Sequence, residues 1–128
     1  LSDYCQTKKK NTTSMEKASS AAFQVAGEMT WQEAGQGVKR QVMGYDGQLM
    51  VVKVDFETGA VGTPHTHPHS QATYVASGKF KVKIGEEETV LQEGDGYYVA
   101  PDVLHGCVCL EAGRLVDTFS PMRRDFLP

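Results

Sequence analysis

Lys79-Phe80-Lys81-Val82-Lys83-Ile84-Gly85-Glu86 is the stretch that decides the fold. Phe80, Val82 and Ile84 alternate with Lys79, Lys81 and Lys83, the period of two that lets a strand bury one face and wet the other. Gly85-Glu86 then supplies a turn. The lysine comb reads as a solvated strand face rather than a basic patch, with Glu86-Glu87-Glu88 beside it in the adjoining hairpin. Outward from this stretch the same rhythm repeats. Met50, Val52, Val54 and Phe56 share one face, with Lys53 and Asp55 on the other. Leu115, Asp117 and Phe119 share a face, opposite Val116 and Thr118. Gly44-Tyr45-Asp46-Gly47, Ser77-Gly78, Glu93-Gly94-Asp95-Gly96 and Glu111-Ala112-Gly113 read as hairpins or tight loops. No helical periodicity appears between Leu49 and Pro121, and only Ser14 to Gln24 has room for a short helix. Many short strands joined by glycine turns imply an all-β sandwich or closed barrel.

The chain has 128 residues, which suits one domain with one core. Residues 1–14 form a polar tail without periodicity; with Met15 the first methionine, the tail is expected to be an addition to the natural chain. Residues 15–30 read as an N-terminal extension and 31–128 as the barrel domain. A net charge of −3 gives no attraction for nucleic acid. No apolar run approaches the roughly 20 residues that span a bilayer, so no membrane partner is expected. Three cysteines form no disulfide framework, and no signal-peptide core opens the chain, so a cytoplasmic setting is expected.

The chemistry concentrates in Gly59-Ala60-Val61-Gly62-Thr63-Pro64-His65-Thr66-His67-Pro68-His69-Ser70-Gln71. On an extended chain His65 and His67 point the same way, so both imidazoles reach one ion. Gln71 follows the kink at Pro68 and brings an amide oxygen to the same point. In a barrel, inward residues of distant strands converge, so His105 completes the set. The plainer alternative, histidines that only satisfy hydrogen bonds, suits a lone histidine better than three at this spacing. His69 falls outside the pattern and belongs at the surface or the cavity mouth. Cys107-x-Cys109 offers either a soft ligand near His105 or two buried, inert thiols.

Such a site expects one divalent transition metal ion: nickel, zinc, manganese, iron and cobalt all suit three imidazoles and an amide oxygen. Neutral ligands leave the ion's charge uncancelled, so the site should attract an anionic substrate. It also lacks the two-histidine, one-carboxylate triad of oxygen-activating iron, which counts against a dioxygenase.

Near the C-terminus Asp117 interrupts an apolar face between Leu115 and Phe119. A carboxylate there is costly unless paired or chemically employed. If it faces a cavity, Asp117 is a general acid or base, Phe119 an aromatic wall, and Arg123 or Arg124 a carboxylate clamp. The alternative is an outward Asp117, with Leu115 and Phe119 covered by a further layer. Tyr98 or Tyr97, and Arg40, are further candidates for the cavity lining. Trp31 reads as packing.

These residues carry a resemblance. Gly59-x5-His65-x-His67-x3-Gln71-x6-Gly78 resembles the first cupin motif, with glutamine where glutamate is usual. Gly94-Asp95, Pro101 and His105 resemble the second, with Cys109 where asparagine is usual. The resemblance runs from Trp31 to the C-terminus. With Gly37-Val38-Lys39-Arg40-Gln41-Val42-Met43-Gly44-Tyr45-Asp46 and Asp117-Thr118-Phe119-Ser120-Pro121-x-Arg123-x-Asp125-Phe126-Leu127, it is similar to the KdgF-type cupins of pectin degradation. This implies a small antiparallel β-barrel of jelly-roll type and linearisation of 4,5-unsaturated monouronates to 5-keto-4-deoxyuronates, a lyase or isomerase reaction. It implies metal ligation by His65, His67, Gln71 and His105, and chemistry or substrate contact at Asp117, Phe119 and Arg123. The partner is then a small anionic sugar; Tyr98 and Arg40 are added as expected substrate contacts from the reading of the residues, not from the resemblance. A homodimer is expected, because cupin barrels often pair through N-terminal strands. The rival reading is a non-catalytic cupin that senses or carries a sugar acid.

Overall fold

The alternation around Phe80 becomes strand in the computed structural model, which describes residues 18–128. Eight strands follow one another: β1 (Gln32–Glu33), β2 (Val38–Tyr45), β3 (Met50–Phe56), β4 (Val61–His65), β5 (Ser70–Ile84), β6 (Glu87–Gln92), β7 (Gly96–Val99) and β8 (His105–Ser120). Single turns of 3₁₀-helix lie at Ala26–Glu28 and Arg124–Phe126. Every strand pairing is antiparallel.

The two long strands organise the rest. β5 and β8 pair from Ser70↔Ser120 to Ile84↔His105. The first half of β5 and the second half of β8 carry β7 on one side and β3, β2 and β1 on the other. Their remaining halves carry β6 and β4. Two sheets thus share two bent strands, the jelly-roll barrel expected from the motifs.

The bends correct two expected turns. Ser77-Gly78 and Glu111-Ala112-Gly113 do not end strands; they lie inside β5 and β8 and face one another. Gly78 has φ +84°, and a Cβ there would sit 2.6 Å from the Glu111 carbonyl oxygen. A Cβ on Gly113 would collide with the Ser77 carbonyl oxygen. Only glycine lets the two backbones approach so closely at the corner. The register shifts between Val75 and Phe80 also change which residues face inward, from Gln71, Thr73 and Val75 to Phe80 and Val82.

Side chains from both sheets meet in the core. Phe56 meets Phe80 edge to face at 5.2 Å between ring centres, among Val38, Val75, Val82, Cys109 and Leu115. A second cluster of Met50, Val52, Phe119 and Met122 packs against Phe126 and Leu127. The C-terminal segment therefore closes that end of the barrel by burying apolar surface.

Ser14 to Gln24 is not the expected short helix over its described part: Ala18 to Gln24 carries none. Ser20 instead pins this segment to the end of β2, its N–H donating to the Tyr45 carbonyl at 2.9 Å. Its hydroxyl accepts from the Tyr45 N–H at 3.0 Å. The polar tail of residues 1–14 and the start of that helix lie outside the described residues. Among the described residues no helix is long and apolar enough to cross a membrane.

Candidate metal centre and active site

His65 ends β4 opposite His105, the first residue of β8. His67 sits in the following loop, and Gln71 is the second residue of β5. Ring centres lie 4.4 Å apart for His65 and His105, 4.8 Å for His67 and His105, and 5.4 Å for His65 and His67. One nitrogen from each ring lies within 4.8 Å of the other two. His67 and His105 are buried, while His65 stands exposed at the mouth.

The backbone decides which nitrogen points inward. His65 Nδ1 lies 2.8 Å from the Thr63 carbonyl, His105 Nδ1 2.8 Å from that of Val103, and His67 Nδ1 3.1 Å from that of His69. A carbonyl only accepts, so each Nδ1 carries the proton and donates. Each neutral ring then presents an Nε2 lone pair to the centre, the arrangement that orients metal-binding histidines. Burial and the neighbouring imidazoles of His65 and His67 push the His105 pKa down, against the pull of the Val103 carbonyl. That favours the neutral ring.

Two observations test the fit for a cation. His105 Nε2 is buried without any hydrogen-bond partner, costly for a lone pair unless something positive meets it. His67 Nε2 lies 2.9 Å from Gln71 Oε1. Both are acceptors in these tautomers, so their approach also calls for a positive charge beside them. The three histidines are placed to hold a metal ion. His69 is not among them; its carbonyl instead fixes His67, and its half-buried ring lies against Phe119.

The cluster opens into a cavity of about 380 Å³ lined by His65, Gln71, His105, Asp117, Phe119 and Arg123. That volume lies within the usual range for small-molecule sites. Asp117 therefore faces inward rather than out. It pairs across the sheet with Thr73, whose hydroxyl donates to Asp117 Oδ1 at 2.6 Å. Burial pushes the Asp117 carboxyl up to about 6, against the Thr73 hydrogen bond and the Arg123 charge that pull it down.

Arg123 donates twice to Asp125, through Nε at 3.0 Å and an Nη at 2.8 Å. Its guanidinium stacks 4.2 Å from the centre of Phe126 and 5.0 Å from that of Phe119. Arg40 also lines the cavity, 3.8 Å from the centre of Phe126, and donates to Gln32 Oε1 at 3.0 Å. Two cations share one aromatic ring at this wall. Arg124 is exposed and takes no part in the lining. Nor does Tyr98, which is 61% exposed; its neighbour Tyr97 turns inward instead. Burial, then the Asp117 charge, push the Tyr97 phenol well above its ordinary pKa. Both thiols are buried, and Cys107, at the cavity wall, is pushed up to about 11 by burial. Neither thiol joins the three histidines in their cluster.

Thr73 and Gln32 were not singled out by the sequence reading, and Asp125 and Phe126 appeared in its C-terminal motif without a role. Thr73 carried a signal, since it follows Gln71 by two positions on a strand and so shares its face.

A strand-shared jelly roll with converging histidines at one mouth is the architecture of a cupin, and residues 52–119 match the cupin-domain family. The chain belongs to the cupin family. More particularly, it is 48% identical over 102 residues to the pectin degradation protein KdgF of Dickeya dadantii (strain 3937), spanning 78% of this chain and 93% of that protein. Among solved structures it resembles KdgF from Halomonas sp., with a TM-score of 0.80, 38% identity, and coverage of 84% of this chain and 100% of that one. An RmlC-like cupin from Shewanella frigidimarina NCIMB 400 matches with a TM-score of 0.83, 43% identity, and coverage of 85% and 98%.

Proposed function

We propose that this protein is a metal-containing enzyme that linearises 4,5-unsaturated monouronates from pectin or related polyuronates to 5-keto-4-deoxyuronates. The observation that carries the reading is Asp117, an acid with a pKa of about 6 that lines the same cavity as His65, His105 and Gln71. Its similarity to a pectin degradation protein supports the substrate class. His65, His67, Gln71 and His105 are the residues that would hold the ion. When bound, the ion supplies positive charge against which an anionic sugar is held and its oxygens polarised.

The chain's own residues do the rest. Arg123, with Arg40 beside it, binds the sugar's carboxylate, and Phe119 packs against the ring. Asp117 as a carboxylate takes the proton from the anomeric hydroxyl. The C1 carbonyl forms as the bond from C1 to the ring oxygen breaks, and the electron pair passes to that oxygen. A C5 carbonyl then forms as the C4–C5 double bond takes a proton at C4 from the Asp117 acid. The step is an isomerisation with no net gain or loss of atoms. A carboxyl with a pKa of about 6 can serve in both states near neutral pH.

The test is the loss of ultraviolet absorbance from an unsaturated monogalacturonate, with and without the metal-loaded protein. Acceleration is the expected result. A protein that binds this sugar without accelerating its linearisation is a sugar-acid sensor or carrier instead.

A further inference from the structure

We propose that Thr73 is a positioning residue whose single hydroxyl fixes both the amide of Gln71 toward the metal and the carboxyl of Asp117 toward the substrate. The inference rests on the reading of Gln71 as a ligand and Asp117 as the acid.

Thr73 lies on β5 between Gln71 and Val75 on the inward face, only 5% exposed, and its register partner on β8 is Asp117. Its hydroxyl has one proton, and at 2.6 Å that proton is committed to Asp117 Oδ1. Toward Gln71 it therefore offers only a lone pair. The Gln71 amide nitrogen meets that lone pair at 3.0 Å and lies 3.4 Å from Asp117 Oδ1. A flipped amide would set its carbonyl oxygen against two oxygens with no proton between them, so the flip is disfavoured. Gln71 Oε1 is left facing His67 Nε2 at 2.9 Å, beside the histidine lone pairs.

The bond sequence from Asp117 through Thr73 to Gln71 thus has one direction. It joins the acid side of the cavity to the metal side through a residue that stands behind the cavity lining. Threonine suits the task, because its branched Cβ restricts rotation about χ1 on a strand. Thr73→Val keeps this shape and removes the proton and both lone pairs. Thr73→Ser keeps the hydroxyl.

The experiment measures cobalt(II) affinity and the visible absorption of the cobalt-loaded protein for wild type, Thr73→Val, Thr73→Ser, Gln71→Ala and the Thr73→Val/Gln71→Ala pair. Thr73→Val should lower cobalt affinity by about 10–100-fold, the cost of losing a support behind a ligand, and should alter the cobalt spectrum. Thr73→Ser should restore both. On the Gln71→Ala background, Thr73→Val should cost no more than about twofold, because the partner it acts through is gone. Wild-type cobalt affinity and spectrum in Thr73→Val would overturn the proposal, as would losses that simply multiply in the pair. If Thr73→Val does not fold, Thr73→Ala carries the same expectations. Cobalt binding is read without substrate. A wild type that leaves the uronate untouched would remove the proposed function alone, whereas unaltered cobalt binding in an active Thr73→Val protein would remove only this inference.

Discussion

The two sides of the cavity are held by different means. On the metal side each imidazole is fixed by a carbonyl two positions away in the chain: Thr63 for His65, His69 for His67 and Val103 for His105. On the acid side the supports come from far along the chain. Thr73 and Asp117 are 44 positions apart, and the Gln32 side chain reaches the Phe126 carbonyl across 94. Short-range bonds can orient histidines as soon as the strand ends are formed. The acid wall exists only once β5 and β8 have paired and the C-terminal segment has closed the barrel. Changes on one side should therefore leave the other largely intact, except at Thr73, which is bonded to both Gln71 and Asp117.

The largest expected effect tests that separation. Asp117→Asn is nearly isosteric and can still accept from Thr73. It should keep fold and metal content while lowering kcat by about 10²–10⁴, the range for losing a positioned acid or base. Equal loss of metal would mean that the sides are not separable. An active protein indifferent to the change would move the proton transfer to another residue.

A stability measurement sharpens the same point. The Asp117 pKa is raised by burial from 3.8 to about 6, so the folded protein holds this proton more tightly than the unfolded chain. The stabilisation is complete below about pH 4 and is lost as pH rises through about 6. In chelator-treated protein, urea titrations should show wild type losing on the order of 3 kcal/mol over that interval relative to Asp117→Asn. Parallel pH profiles for the two proteins would contradict the buried setting of the carboxyl.

Arg123→Ala should act chiefly on KM. Losing a charge-assisted hydrogen bond to the substrate costs about 1.5–3 kcal/mol, roughly a 10–100-fold rise. A matching fall in kcat would show that the guanidinium also acts in the transition state. The smallest effect belongs to Asp125→Asn. The Asp125 side chain is 59% exposed in its pair with Arg123, so freeing Arg123 should change KM by no more than about fivefold, near 1 kcal/mol. A larger change would mean that the long-range wall depends on this pair to hold its shape.

What the sequence made legible follows the same division. The histidine set was legible in the spacing of two between His65 and His67, although His67 lies in the loop after β4 rather than on the strand, and the pairing of β4 with β8 brings His105 to meet them. Strand existence around Phe80 and Val52 was equally local. The glycines at Gly78 and Gly113 looked like turns, because a bend inside a strand and a turn between strands use the same residue. Only the pairing of β5 with β8 tells them apart. Tyr97 and Tyr98 could not be ordered without the register that sets Gln71 against Val99. Val99 is fully buried, so alternation sends Tyr97 inward and Tyr98 out. Arg123 was legible, alongside Arg124, as a carboxylate clamp, but the Phe126 ring it shares with Arg40 needs the closed barrel.

The most direct test of Asp117 as a fixed proton donor is the fate of C4. Wild-type protein, loaded with metal, is given an unsaturated monogalacturonate in deuterium oxide, and the product's C4 is read by NMR early in the reaction. Delivery from one carboxyl on one face predicts a single deuteron in a single configuration. Equal deuteration of both C4 positions at the earliest times would contradict the account, because the proton would then be coming from solvent rather than from Asp117.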